Sequence, residues 1–157
     1  MSEDWADYVD PADDRDDDVA AADEEDRAAG GAPRLFFGNV DEFVREHLAY
    51  QFAGYADART RYWSPTWWES QQAISRLDAL WRAWEHLRLD PATGMSAWWR
   101  DHADYHMRVL MDPNGPFAGS DAADTVCVNE QGHRGPLPCE PAPAGLFVDE
   151  REMQARP

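Results

Sequence analysis

Lysine is absent from the 157 residues, and all 14 basic residues are arginine. A coding bias that also favours Ala and Asp accounts for this, and it leaves the planar guanidinium as the chain's only strong cation. Cysteine is nearly absent too. Cys127 and Cys139 stand in the Pro- and Gly-rich last third without forming a Cys-x-x-Cys motif. No run of 18 apolar residues exists to span a bilayer, and the acidic N-terminus lacks the features of a signal peptide. The expectation is a cytoplasmic protein with no membrane partner and reduced thiols, with a Cys127–Cys139 disulfide as the open alternative.

Signatures of chemistry are missing as well. There is no nucleophile elbow, no phosphate-binding glycine loop and no Ser/Cys–His signature, so neither a catalytic set nor a cofactor is expected. Positive charge is scarce: 31 acidic residues give a formal net charge of −17, which argues against direct affinity for nucleic acid.

The negative charge is concentrated at one end. Residues 1–27 hold 13 Asp and Glu against Arg15 and Arg27, whereas residues 35–117 hold 11 acids against 8 arginines. A run such as Asp13 to Asp18 followed by Asp23 to Asp26 repels itself and offers little apolar surface to offset ordering entropy. The first 33 residues therefore read as a disordered acidic tail and linker, with Trp5, Tyr8 and Val9 as its only apolar docking element.

Tryptophan is what the chain has in abundance. Seven of its eight tryptophans lie between Trp63 and Trp99, four of them in the pairs Trp67-Trp68 and Trp98-Trp99. Helical phasing surrounds them. Asn39 caps a helix over about 40–53, with Glu42 as capping-box partner and Val40, Phe43, Val44, Leu48, Phe52 and Tyr55 on its apolar side. Ser64-Pro65 starts a turn at 66–68. From Glu69 to Leu89, Ile74, Leu77, Leu80, Trp81, Trp84 and Leu87 make a stripe, while Ser75, Asp78, Arg82, Glu85 and His86 face away and Asp78–Arg82 forms an i,i+4 pair. Ser96 caps a third helix over about 97–111, in which Trp98, His102, Tyr105 and Val109 form one row and Trp99, Ala103, His106 and Leu110 the next.

After Phe117 periodicity is lost. Seven of the 11 prolines lie from Pro113 onward, so 118–157 reads as a Pro-rich extended arm, mostly coil, with a short strand at Thr125 to Val128 and anchors at Leu146 and Phe147. The fold class is all-α: a small bundle of three to four helices over 34–117 with a Trp-rich core.

Three constellations carry alternatives. His102 and His106, with Asp101 and Asp104 beside them, share a helix face and would hold a metal if a third ligand arrived, although the Glu of a zincin motif is missing. Satisfied core or interface histidines are the simpler reading. Glu85, Asp101 and Asp104 are the candidate general acids or bases, against the commoner surface carboxylate. Arg59, Arg61, Tyr62 and Trp63, with Arg76, Arg82, Arg88 and Arg100 further along, form a basic-aromatic set that suits either single-stranded nucleic acid or cation–π packing on the chain's own rings.

The stretch Phe37-Gly-Asn-Val-Asp-Glu-Phe-Val, the pair Trp67-Trp68, the block from Arg76 to Asp104, Leu110-Met-Asp-Pro-Asn-Gly-Pro-Phe and the Gly145-Leu-Phe end resemble the actinobacterial family called domain of unknown function 4913. The resemblance implies a setting in actinomycetes, their plasmids, conjugative elements and phages. It implies no activity and supplies no catalytic residues.

The function expected is a non-enzymatic protein-interaction module, with Trp67, Trp68, Trp98, Trp99, Arg61 and Trp63 as its candidate contacts. Residues 35–117 carry 16 aromatics, more than so small a core readily conceals. A metal-dependent or acid/base enzyme centred on His102 and His106, and an acidic decoy using residues 3–26 against a host nucleic-acid-binding protein, are the alternatives.

Overall fold

Asn39 opens the first helix as expected. In the computed structural model, which describes residues 33–121, 125–128 and 131–155, its Oδ1 accepts the Glu42 N–H at 2.9 Å. Glu42 reaches one residue further back than a capping box requires, taking the Gly38 N–H at 2.6 Å. Helix α1 is α-helical at Val40–Phe43, widens to a π turn over Val44–Leu48 and closes as α-helix at Ala49–Gln51. Gly54, with φ +72, follows it in the left-handed region that glycine tolerates best.

The expected turn at 66–68 is a 3-10 turn, Trp67–Glu69, with no side-chain cap from Ser64. Ser70 caps the next helix by accepting the Ala73 N–H, and α2 then runs Gln71–Leu87. Its buried positions are Ala73, Leu77, Leu80, Trp81, Trp84 and Glu85, so Ile74 and Leu87 sit at the stripe's edges. The Asp78–Arg82 pair forms at 2.9 Å; both ends are exposed, so it contributes under about 1 kcal/mol.

Helix α3 starts three residues earlier than Ser96 suggests. The Asp90 carboxylate accepts from Ala92 N, Thr93 N and the Thr93 hydroxyl, and that tight turn delivers Gly94 against the Leu87 carbonyl. The helix is α-helical at Gly94–Ala97, π-helical at Trp98–Ala103 and α-helical again at Asp104–Leu110. A π turn adds a residue to one turn and so rotates everything after it. The buried row is accordingly Trp98, Ala103, Met107 and Leu110, with a first step of five. His102, Tyr105 and His106 leave the rows that regular phasing assigned them, and Tyr105 is exposed.

The last third is coil as expected, with two changes. Thr125 to Val128 makes no strand; Val128 only bridges to Arg134. A short helix, α4, forms at Glu150–Gln154, capped by Asp149. The arm lies in the same compact unit as the helices, Phe36–Pro157. Phe147 stacks on Trp67 at 5.6 Å, while Leu146, the other expected anchor, is exposed. The acidic tail, including Trp5, Tyr8 and Val9, falls outside the described residues.

Glu85 is the main departure from the expected solvent face, being 7% exposed. Its carboxylate accepts from Phe36 N, Phe37 N, Trp81 Nε1 and Arg88 Nε. Four donors in place of water make burial tolerable, and they bind the segment before α1 to the end of α2. Asp41 is also covered, at 8% exposed, and pairs with Arg45 at 2.9 Å.

Candidate functional site

Each tryptophan's place follows from what its indole N–H meets, because a buried N–H without an acceptor costs about 1–3 kcal/mol. Trp63 is fully buried and donates to the Pro138 carbonyl at 2.8 Å. Trp98 donates to the Leu80 carbonyl at 3.1 Å and Trp81 to Glu85. Trp67 and Trp84 are buried with no acceptor for Nε1. Trp63, Trp67 and Trp98 are thus inside, unavailable as partner anchors, and enclosed by the arm or by the facing helices.

Trp68 and Trp99 are the half-buried members of their pairs. Trp68 spends its N–H weakly, on the Glu140 carbonyl at 3.4 Å. Trp99 packs edge-on to Trp98 at 5.0 Å and tilted on Phe52 at 5.5 Å. Its Nε1 meets no protein acceptor among the described residues and is not sealed from solvent. Phe52, itself buried, carries the contact on to Tyr55 at 5.4 Å, and Tyr55 is 41% exposed.

Arg61 lies over the Tyr55 ring, 4.3 Å from its centroid. The turn that presents it is built on Asp57, whose Oδ1 accepts the N–H groups of Arg59, Thr60 and Arg61 and whose Oδ2 accepts the Thr60 hydroxyl. Burial is the largest single influence and raises the Asp57 pKa, but the donors of Thr60, Arg59 and Arg61 together outweigh it and hold the carboxyl well below the usual carboxylate range. Arg134 crosses the same corner, donating to the Gly54 and Ala56 carbonyls. The corner sets exposed Tyr55 among guanidinium groups, and buried Phe52 links Tyr55 to half-buried Trp99.

The His102–His106 face is arranged differently. His106 Nδ1 lies 3.2 Å from an Arg76 guanidinium nitrogen, a donor that leaves Nδ1 to accept as a neutral ring. Burial, then the charges of Arg76 and His102, lower its pKa. Asp101 is held by both branches of Arg100 at 2.7 Å, and Asp104 is exposed. No group of three His, Cys, Asp or Glu side chains able to hold a metal occurs among the described residues.

A cleft of about 510 Å³ opens between Gln72, Arg108 and the loop from Asp112 to Pro116, with Arg108 and Asp112 its only charged walls. It gathers no nucleophile and no acid–base pair. Both cysteines are free; burial and the Asp41 charge push the Cys139 thiol up to about 12. Among the described residues, no helix is long and apolar enough to cross a membrane.

Two features escape sequence reading. His47 is boxed by Trp84 at 5.0 Å, Phe43 at 5.5 Å, Phe37 at 5.9 Å and Trp98 at 6.1 Å. It belongs to no motif, and its walls come from the segment before α1, from α1 itself, from α2 and from α3. Arg134 lies in coil about 80 residues from the turn it joins, so no local signal pointed to it.

A family model described as a domain of unknown function (DUF4913) matches residues 37–143. No curated protein and no solved structure matches the chain.

Proposed function

We propose that this chain, which belongs to the DUF4913 family of domains of unknown function, is a non-enzymatic protein-interaction module that holds its partner through the surface around Trp99. The observation carrying this reading is the Trp99 indole, half-buried on Phe52 and Trp98 with an N–H that no acceptor among the described residues takes. A ring immobilised on one side with a polar edge toward solvent has already lost most of its rotamer freedom. It is the kind of side chain that dominates interface energetics, together with Tyr and Arg, and Tyr55 with Arg61 on it is reached from Trp99 through Phe52.

The metal or acid/base alternative draws less support, since Arg76 occupies His106 and Arg100 occupies Asp101. An actinobacterial plasmid, conjugative element or phage, and a cytoplasmic location, complete the proposal; the genes flanking its own would report the setting. The test is affinity capture from the host with the full chain, Trp99→Ala and Trp68→Ala in parallel. Trp99→Ala should lose the partner, by about 2 kcal/mol or more of binding, whereas Trp68→Ala should keep it. Equal capture by all three forms refutes the assignment. A form lacking residues 1–33 should also keep the partner; loss there favours the acidic-decoy alternative instead.

A further inference from the structure

The charges around Tyr55 do not match those of the rest of the molecule. Five arginines elsewhere face carboxylates: Arg45 with Asp41, Arg82 with Asp78 and Glu150, Arg88 with Glu85, Arg100 with Asp101, Arg151 with Glu42 and Asp149, while Arg76 lies on His106. At this corner Arg59 and Arg134 do not, and Arg61 has only a long pair with Asp57. Arg59 makes no side-chain hydrogen bond or ion pair among the described residues. Arg61 touches Asp57 only at 3.5 Å, and its Nε is buried without an acceptor. Arg134 donates only to two backbone carbonyls, at 3.3 and 3.4 Å. Asp57, the sole acid between Gly54 and Tyr62, already spends its oxygens on the turn.

We propose that this corner is a docking site for an acidic peptide segment, whose carboxylates pair with Arg59, Arg61 and Arg134 while an apolar side chain packs against Tyr55 and Trp99. The proposal rests on the interaction-module reading and gives its partner a chemistry. Charge complementarity is the argument. The Arg61 guanidinium lies over Tyr55 and its one carboxylate contact is long, at 3.5 Å, so its exposed part can take a second carboxylate. A protein with net charge −17 that sets three arginines against one aspartate in one place has a local field opposite to its global one. Single-stranded nucleic acid suits the corner less well, because successive bases need a row of exposed rings. Here the ring between Tyr55 and Trp99 is buried Phe52.

Fluorescence anisotropy with the full chain tests this, the probe being a short fluorescein-labelled peptide of Asp and Glu around one tyrosine. Its Asn/Gln counterpart and an oligothymidylate are run beside it. The acidic peptide should bind, its amide counterpart at least about tenfold more weakly, and rising salt should weaken binding. The double variant R59Q/R134Q changes two exposed side chains and should keep its circular dichroism and melting while losing at least about tenfold in affinity. No binding of the acidic peptide overturns the proposal. So does equal binding of the amide peptide, affinity unchanged in R59Q/R134Q, or tighter binding of oligothymidylate. A natural partner captured through Trp99 that survives R59Q/R134Q leaves the interaction module standing and removes its acidic chemistry.

Discussion

His47 illustrates how a residue acquires a property that its neighbours in sequence do not confer. Phasing gives a histidine between Glu46 and Leu48 no special place, yet four rings enclose it and burial lowers its pKa below the ordinary histidine value. The unfolded chain therefore takes up the proton first. Stability should be full above about pH 6.5, fall as the pH drops through that value toward the lowered folded pKa, and then level off. His106 shifts in the same direction and adds to the same window. Urea midpoints measured across that window should decline, and His47→Phe, which keeps a ring in the box, should flatten the decline. A slope unchanged by His47→Phe shows that this residue is not its source. Glu85 shows the same dependence on surroundings in another form: a carboxylate on the nominal solvent side of α2 is retained inside because Phe36, Phe37, Trp81 and Arg88 all donate to it.

At the scale of elements, the first cap and the α2 stripe were legible, while the caps at Ser64 and Ser96 and the register of α3 were not. Asn39 caps α1 and Leu77, Leu80, Trp81 and Trp84 bury along α2, because each of these depends on spacing within one helix. The π turns at Val44–Leu48 and Trp98–Ala103 depend on packing across helices, and periodicity cannot register an inserted residue. The start of α3 was missed for a related reason. Gly94 is there because its α-carbon lies against the Leu87 carbonyl, an approach a Cβ would forbid. Gly94→Ala should cost about 2–3 kcal/mol by urea denaturation, since backbone rather than a flexible side chain must yield. A midpoint within error of the wild type would mean that the 90–94 turn adapts freely.

On the scale of the whole molecule, the arm is part of the core. Leu137 is buried, Pro138 accepts the Trp63 N–H, Phe147 stacks on Trp67, and Arg151 ties α4 to Glu42 and the Phe36 carbonyl. Ending the chain after Gly135 removes one buried leucine and leaves the Trp63 N–H without its acceptor. The loss should be about 3–5 kcal/mol, with red-shifted tryptophan emission and stronger acrylamide quenching. Retention of the wild-type emission and midpoint would show the arm to be an attachment and not a wall of the core. The same packing makes the candidate surface, because Arg134 reaches Tyr55's corner only when the arm is in place.

By itself the sequence determined a helical, tryptophan-cored protein, its family, the Asn39 cap and the core assignment of Trp81 and Trp84, since all of these are written in local spacing and composition. Tertiary structure decided which tryptophan of each pair faces out, why Glu85 lies inside, and which arginines lack a carboxylate. Those depend on what a side chain meets from distant parts of the chain: Leu80 takes the Trp98 N–H, the arm covers Trp67, and coil some 80 residues away completes the basic corner.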